Sequence, residues 1–257
     1  MSLPTILLLF LVAIVGGTLN AVAGGGSFFT FPALIFANVQ SVVANATSTV
    51  ALWPGSVASA GAYRNELKMI DRRLLIVLVV TSLIGGVLGA FLLLLTPPSI
   101  FTTLIPYLLL IATLLFTFSG PVTKRLRLRR IEKTTLSVRQ LVGMSVAQLV
   151  IAVYGGYFGG GIGILMLATL ALMGLENIHV MNGLKTVLAS CINGVAVITF
   201  IVAGAIYWPA AIVMVVGAII GGYGGAYFAR KIDQRWIRYF VIAVGFVMTL
   251  YFFIKTH

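Results

Sequence analysis

From Leu3 to Ala37 the chain carries no charged residue at all. Twenty apolar residues in helical form cross the ~30 Å hydrocarbon core of a bilayer, and lipid offers the backbone no hydrogen-bond partner, so such a run must satisfy itself as helix. Further apolar segments follow at about 41–63, 74–95, 100–120, 138–172, 179–203, 208–229 and 236–254. Hydrophobic residues make up 60% of the 257 and charged residues 9%, against roughly 45–50% apolar content in soluble domains. These features predict an all-α polytopic membrane protein, one membrane domain with no soluble domain attached. Ala21-Val22-Ala23 resembles a signal-peptidase site. No Lys or Arg precedes the run, however, and the glycines after it have an internal counterpart, so the segment is read as retained.

The net charge of +12 would suggest a nucleic-acid partner in a soluble protein, but its placement points to topology instead. Four Lys and Arg lie between Arg64 and Arg73, seven between Lys124 and Arg139, and four between Arg230 and Arg238, leaving two of the 17 elsewhere. Basic loops stay cytoplasmic, so all three are expected inside, with anionic lipid as a secondary partner and nucleic acid as none. Cys191 is the only cysteine, which excludes an intramolecular disulfide and a thiolate metal cluster.

Two apolar segments are interrupted by triple glycines, Gly24-Gly25-Gly26 before Ser27 and Gly159-Gly160-Gly161 before Ile162. Three glycines open a helix, and in lipid an opening is tolerated only where protein or a hydrated cavity satisfies the freed backbone. The two breaks align at an offset of 135, IGGVLGAF at 84–91 aligns with IGGYGGAY at 220–227 at 136, and Asn45 and Ser48-Thr49 align with Asn182 and Lys185-Thr186 at 137. Offsets this similar argue for duplication. The expected organisation is a first repeat over 1–120, a basic linker over 121–138 and a second repeat over 139–257. If each broken segment is a hairpin entering and leaving on one face, all three basic segments fall inside and the repeats are inverted. Each repeat is then a Gly-broken hairpin plus three transmembrane helices.

Lys185 is the only charged residue deep in an apolar segment. A buried cation at the bilayer centre costs at least ~2.5–3.5 kcal/mol, so it marks a functional site by default, the alternative being a side chain that snorkels to the interface. No Asp or Glu lies at depth beside it, which leaves an anionic substrate as its partner. The amides of Gly25, Gly26 and Ser27 and of Gly160, Gly161 and Ile162 open helices whose dipoles favour an anion. Close helix packing is the competing use of these glycines, and the favoured one for Gly85-Gly86 and Gly221-Gly222. Asn20, Ser27, Thr30, Asn45, Thr47, Ser48 and Thr49 in the first half, and Asn182, Thr186, Ser190 and Asn193 in the second, supply further polar groups. Asn45 and Asn182 stand out because they occupy equivalent places.

Enzyme chemistry finds no residues to work with. The two histidines, His179 and His257, do not have metalloprotease spacing, and all five acidic residues fall in loops. GGYFGGG at 155–161 is followed by no Lys-Ser/Thr and preceded by no strand, so neither a nucleotide, a metal nor any other cofactor is expected.

The stretches GGGSFFTFPALIF at 24–36, VANATSTVALWPGSVAS at 43–59 with YRNELK at 63–68, GGGIGILMLATLALMG at 159–174 and NGLKTVLASCINGVAV at 182–197 together resemble the sulfite exporter family of the TauE/SafE type over essentially the full length. The resemblance implies a bacterial inner-membrane transporter of small sulfur-containing or organic anions, such as sulfite, thiosulfate, sulfoacetate or a sulfonate. It also implies that Gly24, Gly25, Gly26, Asn45, Thr47 and Ser48 lie near the pathway, opposite Gly159, Gly160, Gly161, Asn182 and Lys185. Leu167 stands where the first half has Pro32, and Leu184-Lys185 where it has Thr47-Ser48, so the site is expected to be asymmetric. Alternating access to a small anion is the function expected; an anion channel and a non-transport assembly or partner-binding protein are the alternatives.

Overall fold

A computed structural model describes residues 1–22, 25–62, 67–127, 138–172, 175, 178–229 and 234–256. Among the described residues ten helices form where the apolar runs predict them: α1 Leu3–Val22, α2 Ser27–Phe36, α3 Ser41–Ala62, α4 Arg72–Leu95, α5 Pro98–Arg127, α6 Val138–Tyr157, α7 Ile162–Leu172, α8 Ile178–Val202, α9 Trp208–Ala229 and α10 Gln234–Thr256. No strand occurs among the described residues. Both glycine breaks separate a long helix from a short one, α1 from α2 and α6 from α7. The boundary that differs most is the end of α5, which continues past residue 120 through Pro121 to Arg127.

Helix starts follow local chemistry. The Asp71 carboxylate caps α4 by accepting from the amides of Arg73 at 2.7 Å and Leu74 at 3.4 Å. Pro98 and Pro209 occupy the first turns of α5 and α9, where a missing N–H costs nothing.

Packing crosses between the halves of the chain. Helix α1 lies along α9, α4 along α6, and α3 touches α8 and α9, while α4 also touches α8 and α10 touches α5 and α2. Small residues make the two longest seams possible. A Cβ on Gly17 would strike the Ala218 carbonyl and one on Gly221 the Ile14 carbonyl, while on the other seam Gly89 faces the Val153 carbonyl and Gly156 the Gly86 carbonyl. The register also gives direction. Phe10 meets Gly217 and Ile14 meets Gly221, so α1 and α9 run the same way; Leu149 meets Gly85 and Val153 meets Gly89, so α4 and α6 do too.

Inside, Phe31 of α2 is the hub of an aromatic cluster, with Phe101 at 6.4 Å, Phe158 at 5.8 Å and Phe252 at 6.3 Å between ring centroids. Outside, large apolar side chains stand exposed in helical stripes, as at Ile84, Leu88 and Leu92 on α4 and Ile212, Val216 and Ile220 on α9. Water would not tolerate such stripes; lipid requires them. Leu3–Asn20, Arg72–Leu95, Pro98–Leu115 and Val180–Val202 are each long and apolar enough to cross a membrane. The protein is therefore a multi-pass integral membrane protein.

Gly221→Ala and Gly89→Ala should each lower the thermal midpoint of detergent-solubilised protein, with a cost of about 1–3 kcal/mol from overpacking. Gly143→Ala and Gly224→Ala, where an added Cβ meets nothing within 4 Å, should leave it unchanged or raise it slightly. Fluorescence-detected gel filtration after heating measures both.

Candidate functional site

The first break leads into α2 through Gly25, whose φ of 122° only glycine adopts without strain. The amides of Phe28 and Phe29 turn back onto the carbonyls of Gly25 and Gly26 at 3.1 Å. Gly26 does a second job: a Cβ there would collide with the Gly16 carbonyl of α1. It is a packing glycine as well as a helix opener. Gly24 lies outside the described residues. Ser27 is half-buried, and its hydroxyl has no partner among the described residues.

At the second break α6 closes with the amides of Phe158 and Gly159 both on the Tyr154 carbonyl, at 2.9 and 3.3 Å. Gly159 and Gly161 then take φ of 77° and 76°, and Gly161 packs against Ala112 of α5. The Tyr154 hydroxyl donates to the Gly160 carbonyl at 2.9 Å and holds the turn. The amides of Gly160, Gly161 and Ile162 meet no acceptor among the described residues, so the start of α7 presents free donors with the helix dipole behind them.

Beside that helix start lies Lys185. Its stem runs over Gly163 in the first turn of α7, with Cδ 3.2 Å from the place where a Cβ of residue 163 would sit. The side chain is half-buried, and neither a hydrogen bond nor an ion pair reaches it among the described residues. Asp71, the one acidic residue described, is committed to capping α4. Asn182, half-buried one turn away on α8, has a side-chain amide with no partner among the described residues either. Thr186 turns its hydroxyl onto the Asn182 carbonyl at 2.7 Å, and Ser190 onto that of Thr186 at 2.8 Å. Asn182, Lys185, Thr186 and Asn193 share one face of α8 by their spacing of three, four and eleven residues.

In the first half the corresponding polar groups are spent on holding helices together. The Ser48 and Thr30 hydroxyls share a 2.6 Å hydrogen bond between α3 and α2. Thr47 accepts from the Tyr207 amide at 3.0 Å, just before α9. Asn20 donates to Ser56 at 3.0 Å, and Asn45 donates to the Tyr157 carbonyl at 3.0 Å. Asn45, Thr47 and Ser48 are only 3%, 0% and 2% exposed. The structure thus sets the Lys185 stem against Gly163 in the first turn of α7, and leaves the Gly160 and Gly161 amides, Lys185 and Asn182 without partners among the described residues. Asn20, Asn45, Thr47 and Ser48 serve as interhelical ties.

Sequence reasoning missed Gly163, Tyr154 and the Tyr157 carbonyl. The repeat offsets hold a signal for the first. Gly163 stands where the first half has Phe28, and Lys185 where it has Ser48. A small residue on the short helix makes room for the long one on α8.

The arrangement defines a polytopic helical membrane protein in which a lysine within an apolar helix, Lys185, lies against the first turn of the short helix that follows the second glycine break. The chain belongs to the family described as "Sulfite exporter TauE/SafE", whose model matches residues 9–252. That is a transporter family, not an enzyme family, as the missing catalytic groups lead one to expect. A "Probable membrane transporter protein" of Haemophilus influenzae is 28% identical over 243 residues, 94% of this chain and 92% of the relative. The Escherichia coli K12 "Probable membrane transporter protein YfcA" is 26% identical over 252 residues, covering 97% and 90%, and the Sinorhizobium "Probable membrane transporter protein ORF9" is 24% identical over 249, covering 94% and 90%. No solved structure matches the chain.

Ser48→Ala and Thr30→Val should each destabilise the purified protein by about 1 kcal/mol, because each removes the buried bond between the two hydroxyls; the Thr30 hydroxyl keeps its bond to the Gly26 carbonyl at 3.2 Å when Ser48 is replaced. In the double variant the losses should fall short of their sum by about 0.5–1.5 kcal/mol. Thermal midpoints of the four proteins complete the cycle.

Proposed function

We propose that this protein is a secondary transporter that carries a small sulfur-containing or organic anion by alternating access, bound between the start of α7 and the Lys185–Asn182 face of α8. Lys185 is the observation that carries the reading: a cation inside an apolar helix, laid along the positive end of a second helix, with no acidic partner among the described residues. Two like charges set side by side in a medium of low dielectric call for an anion between them. The family's description as a sulfite exporter supports the sulfur-containing class, with sulfite, thiosulfate, sulfoacetate and sulfonates as candidates.

Inverted repeats, 1–120 and 139–257 around a basic linker at 121–138, supply the two-sided access. Helix directions support them. Helix α4 starts from the basic segment 64–73 and α6 runs with it; α9 ends at the basic segment 230–238 and α1 runs with it. With all basic segments on one face, α6 enters from that face and α1 from the other. The family and the basic loops support a bacterial inner membrane with those loops in the cytoplasm.

Sulfite, thiosulfate, sulfoacetate, acetate, sulfate and chloride can be compared by their effect on the thermal midpoint. An anion at about 100 times its dissociation constant adds roughly 2.7 kcal/mol. Stabilisation by one sulfur anion that disappears in folded Lys185→Ala and Lys185→Gln, and weakens in Gly163→Leu, is expected. Equal stabilisation in the parent and all three variants would remove Lys185 from the site, and none by any anion in the parent would favour a partner-binding protein.

A further inference from the structure

Asn45 and Asn182 are equivalent residues at an offset of 137, and their surroundings match. In each half a threonine four residues on returns its hydroxyl to the asparagine carbonyl, Thr49 at 2.9 Å and Thr186 at 2.7 Å. The side-chain amides, by contrast, are in opposite states. Asn45 donates at 3.0 Å to the carbonyl of Tyr157, the last residue of α6, immediately before the second break. The residue equivalent to Tyr157 at the break offset of 135 is Val22, the last residue of α1. Asn182, which symmetry would pair with the Val22 carbonyl, donates to nothing among the described residues.

We propose that Asn45 and Asn182 form a reciprocal latch. Each donates in turn to the final helical carbonyl of the opposite hairpin, Tyr157 in the conformation seen here and Val22 in the opposite-facing one. Two inverted repeats exchange conformations when access switches, so a bond made by one repeat and missing in the other marks which state is occupied. Burial agrees with the assignment. Asn45 and Ser48 are buried, whereas their equivalents Asn182 and Lys185 are partly exposed; Thr49 and Thr186 are partly exposed alike. Asn45 sits in the second turn of α3, whose start at Ser41 is tied to Pro98 and Thr102 at the opening of α5. Asn182 sits in the second turn of α8, following the short α7 hairpin arm. The latch rests on the inverted-repeat reading, under which these turns lie near opposite faces: the made bond closes the face away from the basic loops, and the open one leaves Lys185 reachable from the basic side. A carbonyl freed by a glycine break needs an intermittent partner in lipid, and a neutral carboxamide can supply and withdraw a donor without moving charge.

The test uses the full chain with Cys191→Ser and one reporter at a time, Thr49→Cys or Thr186→Cys, which are equivalent positions. Each is labelled with a membrane-impermeant maleimide in right-side-out and inside-out vesicles. In the parent the Thr186→Cys reporter should react faster, from the basic face. Asn45→Leu or Asn45→Ala removes the bond of this state and should slow the Thr186→Cys reporter and speed the Thr49→Cys reporter by about two- to tenfold, the range one net hydrogen bond commands in an equilibrium. Asn182→Leu leaves the bonds of this state intact and should move both rates the other way. Shifts in the same direction for the two asparagine sites, or no shift for Asn182→Leu in folded protein, would overturn the latch. If the parent's two reporters react from the same face, the inverted-repeat reading itself fails; if they react from opposite faces but ignore the asparagines, only the latch does.

Discussion

Backbone-to-backbone contact between the halves of the chain is the constraint on which the rest of this structure depends. In lipid, apolar side chains gain nothing by leaving the solvent, so helices associate through close packing and hydrogen bonds. Gly17 and Gly221 bring α1 and α9 to carbonyl contact, and Gly89 and Gly156 do the same for α4 and α6. The long helix before each glycine break is thereby fixed to a helix of the other half. The short helices α2 and α7 pack inside, burying Phe28, Phe31 and Leu34 on one and Ile162, Met166 and Leu170 on the other. Rigid cross-half seams around two short, interrupted helices are a suitable frame for parts that move while the bundle stays closed to lipid.

The asymmetry within that frame is chemical. Where the first half buries Phe28 and Ser48, the second has Gly163 and Lys185, and the stem of the lysine occupies the space the glycine leaves. The first half spends its hydroxyls and amides on interhelical ties, Thr30 with Ser48, Thr47 with the Tyr207 amide and Asn45 with the Tyr157 carbonyl. The second leaves Lys185 and Asn182 without partners among the described residues. The first half of the chain thus provides mainly interhelical ties and the second the charge.

Much of this was legible in the sequence because membrane helices are dictated by local apolar length. Nine of ten helices end within about two residues of their apolar runs, and both glycine triplets fall between helices. The end of α5 was not legible, since Pro121 and the basic residues after it read as a linker yet continue the helix to Arg127. Tertiary partners were less visible still. Nothing near Asn45 announces that its acceptor is a carbonyl 112 residues away. The role of Gly163 could have been inferred by reading the two repeats against each other for size, because a lysine replacing a serine needs a neighbour that shrinks.

The central claim is that an anion is bound at Lys185 and carried across by exposing that site to each face in turn. Counterflow in proteoliposomes tests it most directly: vesicles loaded with unlabelled thiosulfate or sulfite receive a trace of the labelled anion outside. The account predicts saturable uptake that the trapped anion accelerates and that is lost in Lys185→Ala protein of normal fold. Uptake that rises linearly with concentration and ignores the trapped anion would contradict it, and would mean a continuous pore instead of an alternating site.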